Sequence, residues 1–229
     1  MDIVVTGCSR GIGFELVKQL AKVGDRRIVA ISRQVASIES IKNDYPAQIL
    51  PFSLDLTSPA FSESLISFVT HHQLKPEILI NNAGYLVNKP FSELIASDFD
   101  ATFHVNVKGP FQLIQLLLPY FAVNAHIVNI GSMGGFQGSV KFPGLSLYSA
   151  SKGALAILTE CLAEELKEQN LRFNCLALGS ANTEMLNEAF PGYKAPVEAA
   201  EMAEFICNFA FNASSFFNGK VIPVSSSTP

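Results

Sequence analysis

The chain has 229 residues, a length that suits one α/β domain or two small ones. Hydrophobic residues make up 48% and charged residues 16%, which excludes a disordered chain and allows a large buried core. The net charge is −4 and no basic run occurs, so neither nucleic acid nor an anionic membrane is an expected partner.

Strand-like and helix-like segments alternate from end to end. Short β-branched runs fall at 3–6, 27–32, 48–52, 78–81, 126–130, 172–176 and 221–224. Helical periodicity falls between them, at 11–23, 37–43, 59–71, 97–121, 149–168 and 197–212. The strands read as nearly continuous apolar runs, as expected of a parallel sheet covered on both faces. The expected fold is therefore α/β: a doubly wound, Rossmann-type, parallel seven-stranded sheet in a single domain spanning 1–229. Such sheets bind ligands at the carboxyl ends of their strands, so the residues following each strand are the candidates for a site.

The first strand ends in Thr6-Gly7-Cys8-Ser9-Arg10-Gly11-Ile12-Gly13 and a helix follows at once. A glycine turn opening a helix presents backbone N–H groups and the positive end of the helix dipole, which suits a pyrophosphate. The second strand ends at Ser32-Arg33, with no acidic residue to hold a ribose 2′-hydroxyl. Arg33, with Arg10 as a second cation, instead favours the 2′-phosphate of NADP(H) over NAD(H), unless both are merely solvated surface arginines. After the third strand, Asp55 beside Leu56 either bonds an adenine amino group or caps the next helix. Thr57 and Ser58 are better placed to cap, which would leave Asp55 free. The fourth strand ends in Asn81-Asn82-Ala83-Gly84, and the fifth runs through Asn129-Ile130-Gly131 to Ser132.

Tyr148 and Lys152 head the helical segment after the fifth strand. Four apart on a helix, they share one face. A fixed ammonium beside a phenol favours its anion, so the pair is a candidate proton donor and acceptor. The four cysteines (Cys8, Cys161, Cys175, Cys207) and four histidines (His71, His72, His104, His126) lack metal-ligand or disulfide spacing. No metal is expected. Met1 leads directly into a strand, and no apolar run approaches the roughly 20 residues that span a bilayer. A cytoplasmic location is expected.

These motifs together resemble the short-chain dehydrogenase/reductase family over nearly the whole chain. Thr6-Gly7-x3-Gly11-Ile12-Gly13 is similar to its cofactor fingerprint, and Asn81-Asn82-Ala83-Gly84 to the element that steadies its sheet. Asn106, Ser132, Tyr148 and Lys152 match its catalytic tetrad in order and approximate spacing. The resemblance implies an NADP(H)-dependent reductase or dehydrogenase acting on a small carbonyl or alcohol substrate, as a homodimer or homotetramer. It implies Tyr148 as general acid or base, and Ser132 polarising the substrate oxygen. Lys152 would lower the Tyr148 pKa and hold the nicotinamide ribose, and Asn106 would position a relay water. The nucleotide would also meet Gly179, Ala181 and Thr183. A non-catalytic NADP(H)-binding sensor or scaffold of the same fold is the alternative.

Three departures bear on the substrate. Leu178 stands where the family usually has proline before Gly179, which implies a less rigid backbone. The segment from Ser132 to Tyr148 is a few residues longer than usual, with the excess within 137–147. The segment between Thr183 and Pro196, the family's mobile lid, is short and implies an open pocket, a bulky substrate or water access. Phe190 and Tyr193 are its expected substrate-facing aromatics. Near the end of the chain, Ser225-Ser226-Ser227 replaces glycines usual there.

Overall fold

The first strand, β1 (Asp2–Thr6), alternates its side chains between two cores. Ile3 and Val5 face one hydrophobic cluster and Val4 faces the other. In the computed structural model, which describes residues 1–45 and 48–225, this two-sided burial extends across the whole sheet. The predicted strands are all present: β2 (Arg27–Ser32), β3 (Ile49–Ser53), β4 (Pro76–Asn81), β5 (His126–Ile130) and β6 (Arg172–Leu178). A two-residue strand, β7 (Ala181–Asn182), pairs with another, β8 (Val197–Glu198), outside the main sheet. The final strand is β9 (Lys220–Val224). The seven-stranded sheet runs β3-β2-β1-β4-β5-β6-β9 and every pairing in it is parallel.

Helices cover both faces. One face packs α1 (Gly11–Lys22), α2 (Ala36–Asp44) and α8 (Ala199–Asn212) through residues such as Leu16, Ile38 and Ile206. The other packs α3 (Phe61–His71), α5 (Gly109–Leu117) and α6 (Ser146–Glu165) through Phe61, Leu113 and Ala163. The sheet order reverses between β1 and β4, so their carboxyl ends splay apart and open a crevice there.

The long helix predicted over 97–121 is divided. α4 (Ala96–Phe103) passes into a π-helical turn at His104–Lys108 before α5 begins. Pro110 explains the break: it has no N–H for the carbonyl of Asn106, four residues back, and its ring crowds that carbonyl. The short strands β7 and β8 escaped the periodicity, as did the six-residue helix α7 (Glu184–Ala189) in the lid segment. Ser226, Ser227 and the residues after them lie outside the described part. No helix among the described residues is long and apolar enough to cross a membrane.

Candidate active site

The crevice is a continuous cavity of about 770 Å³ along the carboxyl ends of the strands. That volume suits a ligand of dinucleotide or drug size. Its first wall is the glycine turn. Gly7 adopts φ +73°, and a Cβ there would lie 2.7 Å from Ala83 Cα. A Cβ on Gly13 would lie 2.1 Å from the Gly7 carbonyl oxygen, so only glycine lets α1 start this close to the strand. No side chain caps α1. Ser9, Arg10, Gly11 and Ile12 line the cavity at its N-terminus, where a helix favours an anion. This is the cradle a dinucleotide pyrophosphate requires.

The β4 end is tied to that turn. Asn82 Nδ2 donates to the carbonyls of Thr6 (3.0 Å) and Gly7 (3.2 Å), while the N–H groups of Asn82 and Ala83 donate to Thr6 Oγ1. Deeper in, Asn81 Nδ2 donates to Asn129 Oδ1 (2.8 Å), and Asn129 Nδ2 to Thr159 Oγ1 (2.9 Å). This buried polar chain locks β4, β5 and α6 together, because each member left unpaired would cost about 1–3 kcal/mol.

Every residue assigned above to the nucleotide lines this cavity, including Ser32, Arg33, Leu56, Gly84, Gly179, Ala181 and Thr183. Two of the cavity's charged side chains are not free. Asp55 Oδ1 accepts from both the backbone N–H and the hydroxyl of Thr57, each at 2.8 Å. These bonds hold its carboxyl below the usual range. The expectation that Thr57 and Ser58 would cap α3 and release Asp55 is therefore corrected. Thr57 binds Asp55, and Ser58 Oγ accepts the Ala60 N–H. Arg10 is likewise committed, forming a two-point ion pair with Glu188 of α7, with Nη2 to Oε2 at 3.0 Å. Arg33 is exposed at the same end of the cavity.

Ser132, Tyr148 and Lys152 meet at the centre. The loop after β5 lies directly on α6: a Cβ on Gly135 would stand 2.6 Å from the Lys152 backbone. Tyr148 hydrogen-bonds Ser132. Burial pushes the Tyr148 phenol up to about 12, and the Ser132 bond only partly opposes that. Burial pushes the Lys152 ammonium down to about 8. Lys152 donates to the Ile130 carbonyl at 2.7 Å and lies 5.7 Å from the Tyr148 ring centre. The expected depression of the phenol by Lys152 is thus absent here: the ammonium is turned toward β5, and desolvation dominates both groups.

Asn106 does not line the cavity. It is fully buried, and its amide clamps the backbone of Tyr85 from both sides, accepting from the N–H at 2.7 Å and donating to the carbonyl at 2.9 Å. Its Nδ2 also donates to Ser151 Oγ. The side chain is consumed in fixing the 85–90 loop and α6, so it has no direct place at the reacting oxygen.

The departures at the rim also resolve. Leu178 pairs with Val224 in the sheet, and the Gly179 N–H donates to the Val224 carbonyl at 2.8 Å. The ladder thus ties the chain to β9 at the point where the proline would stand. The lid is short but tied. Thr183 caps α7, the Ala195 N–H donates to Asn182 Oδ1 at 2.7 Å, and Tyr193 shares a hydrogen bond with Ser180. Phe190 and Tyr193 both line the cavity as expected. Leu54, Val105 and Met133 line it too, without any motif to announce them.

The family described as short chain dehydrogenase matches residues 2–194. L-xylulose reductase from Caenorhabditis elegans is 35% identical over 178 residues, covering 75% of this chain and 68% of that protein. Carbonyl reductase (NADPH) 2 from Sus scrofa is 33% identical over 174 residues, with the same coverage of 75% and 68%. A short chain dehydrogenase from Burkholderia cenocepacia, solved in complex with NADP, superposes with a TM-score of 0.87 at 25% identity, covering 98% of this chain and 96% of that one. The chain belongs to the short-chain dehydrogenase family of oxidoreductases.

Proposed function

We propose that this oxidoreductase is an NADP(H)-dependent carbonyl reductase in which Tyr148 delivers the proton. The carrying observation is that Ser132, Tyr148 and Lys152 meet in the cavity wall, with Tyr148 hydrogen-bonded to Ser132 and Lys152 Nζ 5.7 Å from the Tyr148 ring centre, and that the phenol is protonated at neutral pH. A phenol in that state is an acid, the form that reduction needs.

The glycine turn and the α1 N-terminus would hold the pyrophosphate, and Asn82, Ala83, Gly84, Gly179, Ala181 and Thr183 the remainder of the dinucleotide. When bound, the nicotinamide supplies a hydride, two electrons and a proton's mass, to the carbonyl carbon. Ser132 donates a hydrogen bond that orients the carbonyl oxygen. Tyr148 passes its phenolic proton to that oxygen, completing the alcohol. Lys152 spends one of its three donors on the Ile130 carbonyl, leaving two for ribose hydroxyls and for neutralising the Tyr148 anion. Asn106 acts as a positioning residue through Tyr85 and Ser151. Any part it plays in a water relay falls to its carbonyl, which Pro110 cannot bond.

The proton role is tested with NADPH and a panel of activated ketones. Tyr148→Phe should abolish turnover by at least about 100-fold while leaving NADPH affinity unchanged. Equal turnover in the variant would remove Tyr148 from the chemistry. Binding of NADPH by the unaltered protein without turnover of any carbonyl would favour a sensor or scaffold.

The preference for NADP(H) is supported by the missing acid after β2 and the exposed Arg33 at the cavity wall. It is also supported by the NADP and NADPH named for the Burkholderia structure and the pig relative. Arg33→Asp should weaken NADPH binding by about 10- to 100-fold and NADH binding far less, measured by fluorescence titration. Equal losses for the two cofactors would overturn the preference.

A further inference from the structure

A reductase needs a pocket beside the Tyr148 hydroxyl, and three loops wall it: 85–90, 133–147 and 183–193. They are cross-tied. The Lys89 N–H donates to the Gly144 carbonyl at 3.1 Å, and Asn88 Nδ2 to the Ala189 carbonyl at 2.7 Å. Gly144 adopts φ +84°, and a Cβ there would lie 2.0 Å from Asn88 Oδ1. Glycine alone lets the lengthened loop close on Asn88. The wall is therefore built, and its chemistry can be read.

The three loops contain four charged side chains, and neither of the two cations, Lys89 and Lys141, lines the cavity. Lys89 binds Asp98 at 2.9 Å. Lys141 donates to the Phe136 carbonyl and to Ser139 Oγ, both at 2.7 Å. Glu188 holds Arg10. Glu184 lies against the glycine turn, its Oε2 3.5 Å from where a Gly11 Cβ would stand. The Tyr193 hydroxyl is shared with Ser180. Most of the side chains these loops present to the cavity are apolar, among them Tyr85, Leu86, Met133, Phe142, Leu145 and Phe190, with Thr183, Glu184 and Tyr193 as the polar ones. Phe142 lies in the lengthened loop and is 47% exposed, so a bound molecule would cover it.

We infer that the substrate is an uncharged ketone or aldehyde carrying an apolar group of aromatic size, and that Phe142 is the wall that selects it. This rests on the reductase reading above. A carboxylate placed here would find no cation of the three loops on the cavity wall and would face Glu184, and a burial without a partner is strongly disfavoured for a charge. The hydroxyls of a ketose would leave their water partners for a wall of rings and methyl groups. An apolar group instead removes half-exposed aromatic surface from water.

The test uses three probes with the full-length protein. Methyl benzoylformate and benzoylformate share one aryl ketone and differ in charge, and L-xylulose supplies a polyol. Each is measured for NADPH oxidation, and for binding to the protein with NADP⁺ by calorimetry. The ester should bind, with a kcat/KM at least about 100-fold above the acid and the pentulose. An acid or pentulose that equals the ester, or an ester that does not bind, overturns the inference. Selective binding of the ester without turnover supports the pocket and instead sinks the reductase reading. Phe142→Ala should weaken the ester about tenfold with NADPH affinity unchanged, and Phe142→Leu should recover most of the loss. An unaffected Phe142→Ala variant removes Phe142 from selection.

Discussion

At the Tyr148 hydroxyl, burial and hydrogen bonding pull in opposite directions, and burial wins. The same burial acts on Lys152 with the opposite sign, because its charged form is the protonated one. Lys152 is thus cationic below about 8 and loses its proton as the pH rises through that value. NADPH-dependent reduction should be level up to about pH 8 and decline above it. Lys152→Arg, which keeps its charge, should carry the decline to higher pH in a kcat/KM profile. A decline that stays in place would assign it to another group. The pair's spacing was legible in Tyr148-Ser149-Ala150-Ser151-Lys152, because helix geometry alone puts those two residues on one face. Their protonation was not legible. It depends on how much water the surrounding strands exclude, and on the Ile130 carbonyl, 22 positions away from Lys152.

Among the elements, α7 and the turn at Asn106 carry most of what the chain adds to its fold. Helix α7 has only six residues, too few for an apolar period to repeat, and so it escaped detection. Its Glu188 holds Arg10 across the mouth of the nucleotide cavity. One arginine therefore has two anionic claimants, this carboxylate and a 2′-phosphate. Glu188→Gln should free Arg10 and tighten NADPH binding a few-fold with NADH unchanged. It should also speed amide hydrogen exchange in α7, as the tie to the glycine turn is lost. NADPH binding that weakens in this variant would mean that Arg10 serves the lid and not the phosphate. The Asn106 turn was not read from the sequence, because the apolar period runs on through 97–121 without a break, although Pro110, four residues past Asn106, disfavours an unbroken helix there. The Tyr85 backbone that the amide clamps has no local signal.

For the whole molecule, α4, α5 and α6 each carry an exposed apolar side chain. Ile157 is 60% exposed, Phe99 48% and Phe111 42%. Phe99 also stacks on Phe103. We propose that these side chains are covered by a second copy of the chain. The protein should sediment at a multiple of 24.8 kDa, and Ile157→Asp with Phe111→Asp should shift it toward the monomer. A wild-type protein that sediments as a monomer would refute self-association.

The order of strands and helices, the doubly wound sheet and the residues at the strand ends followed from the sequence by itself. Hydrophobic period, glycine conformation and helix spacing are properties of near neighbours in the chain, and near neighbours are what a sequence displays. The tertiary structure alone decided which of those residues remain available. Asp55 is taken by Thr57, Arg10 by Glu188, Asn106 by Tyr85, and Lys89 of the rim by Asp98. Such commitments depend on groups brought together by folding from distant parts of the chain, and on the water that folding removes from around them.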